Sequence, residues 1–299
     1  RDLERFDTLA LPALAKMFIG KTGIVDHCWS SENQVARIFQ TQVVRENGIS
    51  YIKAWAYIRR GGSNEEIIAD IEAGIKKEVS VSEVKRIVQK WYVLSVLTGR
   101  YSASPESAFY RDIRKINEVG VVKTLEDIES ALLSDNFWDV KVVQDLAYTS
   151  TINPTYLVYL AAQVANNDMS LLSNNITVKD LIEICGDVHH IFPKEYLKSN
   201  GYDKNLYNQD ANYAYLDTQV NKSIGKKAPC EYFAEALKQC ETKVVTCGSI
   251  TDIDVLKANL AANCIPFDVC EMTHEDFDTF LEKRRELMAK KIKDFYYGL

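Results

Sequence analysis

The chain has 299 residues, 46% of them hydrophobic and 26% charged, with 13 Gly and 6 Pro. That length can bury a sizeable core, and that composition excludes disordered and fibrous classes. The net charge of −6 argues against a protein that coats nucleic acid generally, so a polyanion partner must be met by a local basic patch.

From the N-terminus, the apolar stretch Leu9 to Ile19 is broken by Pro12 and Lys16 and is far shorter than the roughly 20 residues that span a bilayer. No signal-peptide pattern precedes it, and the chain reads as cytoplasmic, with no membrane partner. It opens on Arg1 rather than Met, as a piece of a longer protein would. The seven cysteines are an odd number with no C-x-x-C pair, which indicates buried thiols rather than a disulfide framework or a zinc ribbon.

Most of the chain reads at helical period. Helix starts are expected at three capping boxes: Ser63 with Glu66 after Gly61-Gly62, Thr124 with Asp127, and Thr177 with Asp180. Val84, Ile87, Val88, Trp91 and Leu94 form one apolar stripe of a packed helix. Gly99 followed by Ser104-Pro105 reads as a helix end and a new start, which accounts for Arg100, Tyr101 and Ser102 as capping chemistry. Asn153-Pro154 punctuates the chain before another helix over Tyr156 to Val164. Trp55, Trp91 and Trp138 read as core, and His27 and His274 receive no role.

Between Gly186 and Pro229 the order becomes strand, loop, strand, helix. Asp187 to Phe192 is the first strand, an Asn-rich loop follows (Asn200, Asn205, Asn208), Tyr213 to Leu216 alternates as a strand, and a helix begins at Asp217. Beyond Pro229 the helical pattern returns, loosens near Gly248 to Thr251, and ends in a helix from about Thr273 to Tyr296. Its basic run (Lys283, Arg284, Arg285, Lys290, Lys291, Lys293) reads as a solvated face.

Two of the four histidines are adjacent, in Asp187-Val-His189-His190-Ile-Phe-Pro193. Successive side chains of a regular strand point to opposite faces, so one shared site requires a bulge or a strand end. Downstream stand Asn212 and, nine positions later, Asn221, then Lys222, Lys226 and Lys227. Asn221 inside a helix is notable, because Asn is a poor helix former.

These residues resemble the HNH, or His-Me finger, nucleases, whose ββα-metal unit carries a histidine on its first strand, an asparagine at the second and an asparagine or histidine on the helix. The wider segments Gly99-Arg-Tyr-Ser-Ala-Ser-Pro-Glu-Ser107, Asn153-Pro-Thr-Tyr-Leu157 and Gly186-Asp-Val-His-His-Ile-Phe-Pro-Lys194 are similar to the C-terminal half of GmrSD-type modification-dependent restriction proteins. The resemblance implies a mainly α protein with an embedded ββα-metal unit: a helical domain over 1–168, the HNH unit over 169–240 and a helical extension over 241–299. It implies a metal-dependent endonuclease acting on DNA, with a bacterial, phage-defence setting.

In that reading His190 is the general base and Asn212 orients it. His189 and Asn221 ligate Mg²⁺ or Mn²⁺, with Asp187 beside them, and Lys222, Lys226 and Lys227 hold backbone phosphates. The family's N-terminal ParB-like nucleotidase domain carries an Asp-Gly-Gln-Gln-Arg motif, and this chain has none. Cutting both strands requires two sites, hence a homodimer. Two other readings stay open: a non-catalytic nucleic-acid-binding or regulatory module with a degenerate site, and an RNA-cleaving nuclease.

Overall fold

The computed structural model describes residues 81–103, 105–148 and 153–299. The apolar stretch at Leu9, the Ser63 capping box, His27, Cys28 and Trp55 lie outside the described residues. The fold is mainly α-helical. It divides into two compact units, one holding 81–137 and 296–299, the other 138–295. The part from 138 to 168, the expected finger and the extension as far as 295 thus share one unit.

In the first unit, helix α1 (Val81–Thr98), α2 (Pro105–Val119) and α3 (Val121–Leu132) pack together. The expected stripe buries Ile87, Trp91 and Leu94. Gly99, at φ +61°, ends α1, and Ser102 N–H donates to its carbonyl, as the sequence anticipated. Capping is only part of the arrangement there. Arg100 makes a two-pronged pair with the Asp112 carboxylate. The buried Tyr101 hydroxyl donates to the same group at 2.6 Å while accepting from Trp91 Nε1 at 2.7 Å.

The Thr124 capping box does not form. Helix α3 starts earlier, after Gly120 at φ +85°, and Thr124 Oγ1 donates back to the Gly120 carbonyl at 2.6 Å. Asp127 instead pairs with Lys115 and Lys123. Glycine's access to positive φ decided the boundary.

In the second unit, α4 (Pro154–Ala165) is buried along nearly its whole length, with Asn153 capping it by accepting from Thr155 N–H. The Thr177–Asp180 box forms in both directions and opens α5 (Val178–Glu183). The strands follow: β1 (Val188–His190) and β2 (Tyr213–Tyr215), antiparallel, with His189 opposite Ala214 and His190 opposite Tyr213. The 22 residues between them hold short helices α6 (Lys194–Ser199) and α7 (Lys204–Tyr207) rather than an open loop. Helix α8 (Thr218–Ile224) comes directly after β2, capped by Asp217, which accepts from Gln219 and Val220 N–H.

Helices α9 (Pro229–Thr242), α10 (Ile253–Ala262) and α11 (Phe277–Gly298) complete the chain. On α10 the buried Asn259 holds the segment beside β2, donating to the Ser170 and Ser173 carbonyls and accepting from Leu172 N–H. Gly248 packs so tightly on this segment that a Cβ there would stand 2.2 Å from the Leu172 carbonyl oxygen. Of the cysteines in the described residues, Cys240, Cys247, Cys264 and Cys270 are buried, Cys230 is half-buried and Cys185 is exposed, all as free thiols.

The solvated-face reading of the α11 basic run fails at Arg284, which is fully buried. Its position continues the apolar stripe of Phe277, Phe280, Leu281 and Met288 at helical spacing. The guanidinium donates to the Ala211 carbonyl at 2.7 Å and the Asn263 carbonyl at 3.2 Å, so the charged end tethers the residue just before Asn212. No described helix is long and apolar enough to cross a membrane.

Candidate active site at the strand pair

Backbone pairing is regular across β1, with no bulge, and His190 is the last residue of the strand. The two imidazoles therefore meet different partners. His189 is 3% exposed, and its Nδ1 lies 2.7 Å from Asn221 Oδ1 on α8. Burial pushes its pKa down to about 4, with the nearby His190 adding to the shift and the Asn221 bond opposing it. The ring is neutral at pH 7, and its Nε2 is buried with no hydrogen-bond partner among the described residues.

His190, half-buried, sets its ring edge-on to Tyr213 and Tyr207, with centroids 5.0 and 6.2 Å away. Its Nε2 lies 2.9 Å from Asn208 Oδ1. Burial lowers its pKa, the Asn208 bond works against that, and the ammonium of Lys194 reinforces the lowering. A neutral imidazole at the end of a short strand suits a proton acceptor.

Asn212 is fully buried but does not touch the His190 ring, which corrects its expected part. Its amide bonds backbone only: Oδ1 accepts from Phe192 N–H at 2.9 Å, and Nδ2 donates to the Phe192 and Tyr207 carbonyls at 3.2 and 3.0 Å. Phe192 is two residues beyond His190, and Tyr207 is one residue before Asn208. Asn212 thus fixes the chain on both sides of the imidazole–amide contact. The end of β1 is held as well by Tyr232, whose hydroxyl donates to the Ile191 carbonyl at 2.8 Å.

Asp187 is exposed, just before β1, and no hydrogen bond among the described residues joins it to the His189–Asn221 pair. Lys222 and Lys226 are exposed on and after α8, whereas Lys227 is bound to both oxygens of Glu235 at 2.7 and 2.9 Å. Among the described residues, the basic turn therefore offers two uncompensated ammonium groups, not three.

Whether a cation suits His189 and Asn221 is a matter of donor geometry. Adjacent ligands of an octahedral ion bonded at about 2.0–2.1 Å stand about 3 Å apart, and the two donor atoms are 2.7 Å apart. The spacing matches one coordination edge, but as it stands the contact is a hydrogen bond from Nδ1–H of the neutral His189 to Asn221 Oδ1, so an ion would take that proton's place, with the proton moved to Nε2. Among the described residues no group of three or more His, Cys, Asp and Glu could hold a metal, so two neutral donors would bind an ion weakly and leave most of its shell to water or substrate.

The residue missed in the sequence is Asn208. It stood in view only as one asparagine of a polar loop, because nothing in its spacing marks it as a neighbour of a histidine 18 residues earlier.

No family model matches this chain, and no solved structure matches it. An uncharacterized protein of Methanocaldococcus jannaschii, MJ0686, is 25% identical over 289 residues, covering 89% of this chain and 46% of the relative. The chain spans about half of that relative's length.

Proposed function

We propose that this chain is a metal-dependent endonuclease of the HNH type that hydrolyses phosphodiester bonds in DNA. The observation that carries the reading is the strand pair followed by α8. It sets His189 Nδ1 and Asn221 Oδ1 2.7 Å apart and leaves a half-buried, neutral His190 at the end of the same strand. The setting in a modification-dependent restriction protein rests on the sequence resemblance alone.

His190 accepts a proton from a water in line with the scissile bond. The water oxygen attacks phosphorus, the bond to the 3′-oxygen breaks, and the departing oxygen takes a proton from solvent, so the products carry 5′-phosphate and 3′-hydroxyl ends. His189 and Asn221 would hold a divalent cation, Mg²⁺ or Mn²⁺, which would supply neutralisation of the charge on the phosphorane and leaving oxygen. Lys222 and Lys226 attract the backbone phosphates from the exposed side of α8.

The test is nicking of supercoiled plasmid, modified and unmodified, with Mg²⁺, Mn²⁺ or EDTA, comparing wild type with His190→Ala. Cleavage that requires both the cation and His190 is expected, with the variant reduced by about 10²- to 10⁴-fold. Cleavage that survives EDTA or His190→Ala rejects the mechanism. A matched RNA substrate separates DNA from RNA cleavage, and binding without cleavage under every condition identifies the non-catalytic module.

A further inference from the structure

The contact between Asn208 and His190 decides which nitrogen of the imidazole can act. A neutral imidazole carries one N–H, and the atom facing Nε2 at 2.9 Å is the amide oxygen of Asn208, an acceptor. The proton therefore sits on Nε2, and the lone pair is on Nδ1.

Asn208 is itself firmly placed. It follows the last residue of α7, its N–H donates to the carbonyl of Lys204 in the first position of that helix, and the preceding Tyr207 carbonyl is held by Asn212. The following residue, Gln209, accepts from Arg285 Nη1 of α11 at 3.0 Å. The chain is thus held at Asn208 itself and at the residue on either side of it. Among the described residues nothing in its own turn uses the side-chain oxygen, because Asn208 makes its side-chain hydrogen bond to the histidine.

We infer that Asn208 is a positioning residue: it fixes His190 in the Nε2–H tautomer and so presents Nδ1, not Nε2, as the atom that takes the proton from water. This rests on the nuclease reading for its catalytic half, whereas the tautomer half stands on the contact alone. Asn208 does the orienting that the sequence assigned to Asn212, and Asn212 secures the backbone on which both partners sit.

The experiment is nitrogen-15 NMR of histidine-labelled protein at one fixed pH near 7.5, on wild type, Asn208→Ala and Asn208→Asp. Four histidines are assignable by single substitutions. The wild type is expected to show His190 as the Nε2–H tautomer, with a ring N–H exchanging slowly with water. In Asn208→Ala that slow N–H disappears, and in Asn208→Asp, which keeps an acceptor oxygen, it returns. In plasmid nicking, Asn208→Ala lowers kcat about tenfold or more with KM for DNA unchanged, and Asn208→Asp recovers part of the loss.

A wild-type His190 in the Nδ1–H tautomer, or a slow N–H that persists in Asn208→Ala, overturns the proposal. The expected NMR pattern in a protein that cleaves nothing supports the contact and overturns the nuclease reading, so the two can fail separately.

Discussion

Asn212 grips the backbone of Phe192 by both of its polar groups, accepting from the N–H at 2.9 Å and donating to the carbonyl at 3.2 Å. The same amide reaches the Tyr207 carbonyl, so one buried side chain closes the 22-residue connection between the two strands. Removing it leaves three buried backbone groups without partners, at about 1–3 kcal/mol each where water cannot replace them. Asn212→Ala should therefore lower the thermal midpoint and nicking together. An unchanged midpoint with abolished cleavage would return Asn212 to direct work on the base.

Asn221 presents a different case. Its side-chain oxygen faces the His189 ring, near the surface of a seven-residue helix. Asn221→Ala should lose about 1–3 kcal/mol, because the buried His189 Nδ1 loses its partner, yet still fold, and need more Mn²⁺ or Mg²⁺ for half-maximal nicking, by about tenfold, on the scale of removing one oxygen that orders a bound cation. Metal titration of the two proteins measures this, and superimposable titrations reject Asn221 as a ligand.

Asp210 should make stability fall as pH rises. It is fully buried, with one carboxylate oxygen accepting from Asn153 at 2.7 Å and the other without a partner among the described residues, and burial raises its pKa from 3.8 to about 8. Between those values the folded state holds a proton that the unfolded state has released, so stability declines with increasing pH, by at most about 1.4 kcal/mol per unit. His189 acts in the other direction. With a folded pKa of about 4 against 6.5, its unfolded form takes up the extra proton, and stability rises with pH between those limits. The two oppose each other below pH 6.5, which leaves Asp210 alone between about 6.5 and 8. Asp210→Asn should flatten that interval in urea unfolding and raise stability at pH 8; an identical slope in the variant would remove Asp210 as its source.

Arg284 is buried with two carbonyl partners, Ala211 and Asn263. Arg284→Met keeps most of the packing but strands the Ala211 carbonyl, whereas the Asn263 carbonyl keeps the Tyr159 hydroxyl as a donor, and a loss of about 1–3 kcal/mol is expected from the usual cost of an unpaired buried carbonyl. Urea unfolding checks it. A loss within error would mean that water replaces the guanidinium.

Lys222 and Lys226 should matter for DNA and Lys227 should not. Charge reversal to Glu at either exposed lysine is expected to weaken plasmid binding and to make it less sensitive to salt, with about one fewer counterion released for each phosphate no longer neutralised. Lys227→Met removes an ammonium already paired with Glu235 and should leave binding within about twofold. Equal losses at all three positions would show that DNA displaces Glu235.

Local patterning alone determined the helical class, the Asn153 cap, the Thr177–Asp180 box, both strands and the helix that starts at Asp217. Each of these depends on residues within a few positions of one another, where hydrophobic period and capping chemistry act without help from the rest of the chain. The resemblance implied His189 and Asn221 as two ligands of one cation, and their direct hydrogen bond came only with the structure. Tertiary structure alone decided that Asn208 rather than Asn212 meets the imidazole, that Lys227 is compensated by Glu235, and that Arg284 is buried within a basic run. The physical reason is the same in all three. A charged or amide side chain has partners of equal chemistry at many sequence distances, and only the packing of strands, α9 and α11 against one another brings one of them within hydrogen-bond reach. The Thr124 box shows the limit from the other side, since a single glycine at positive φ moved a helix start that the side chains themselves would have allowed.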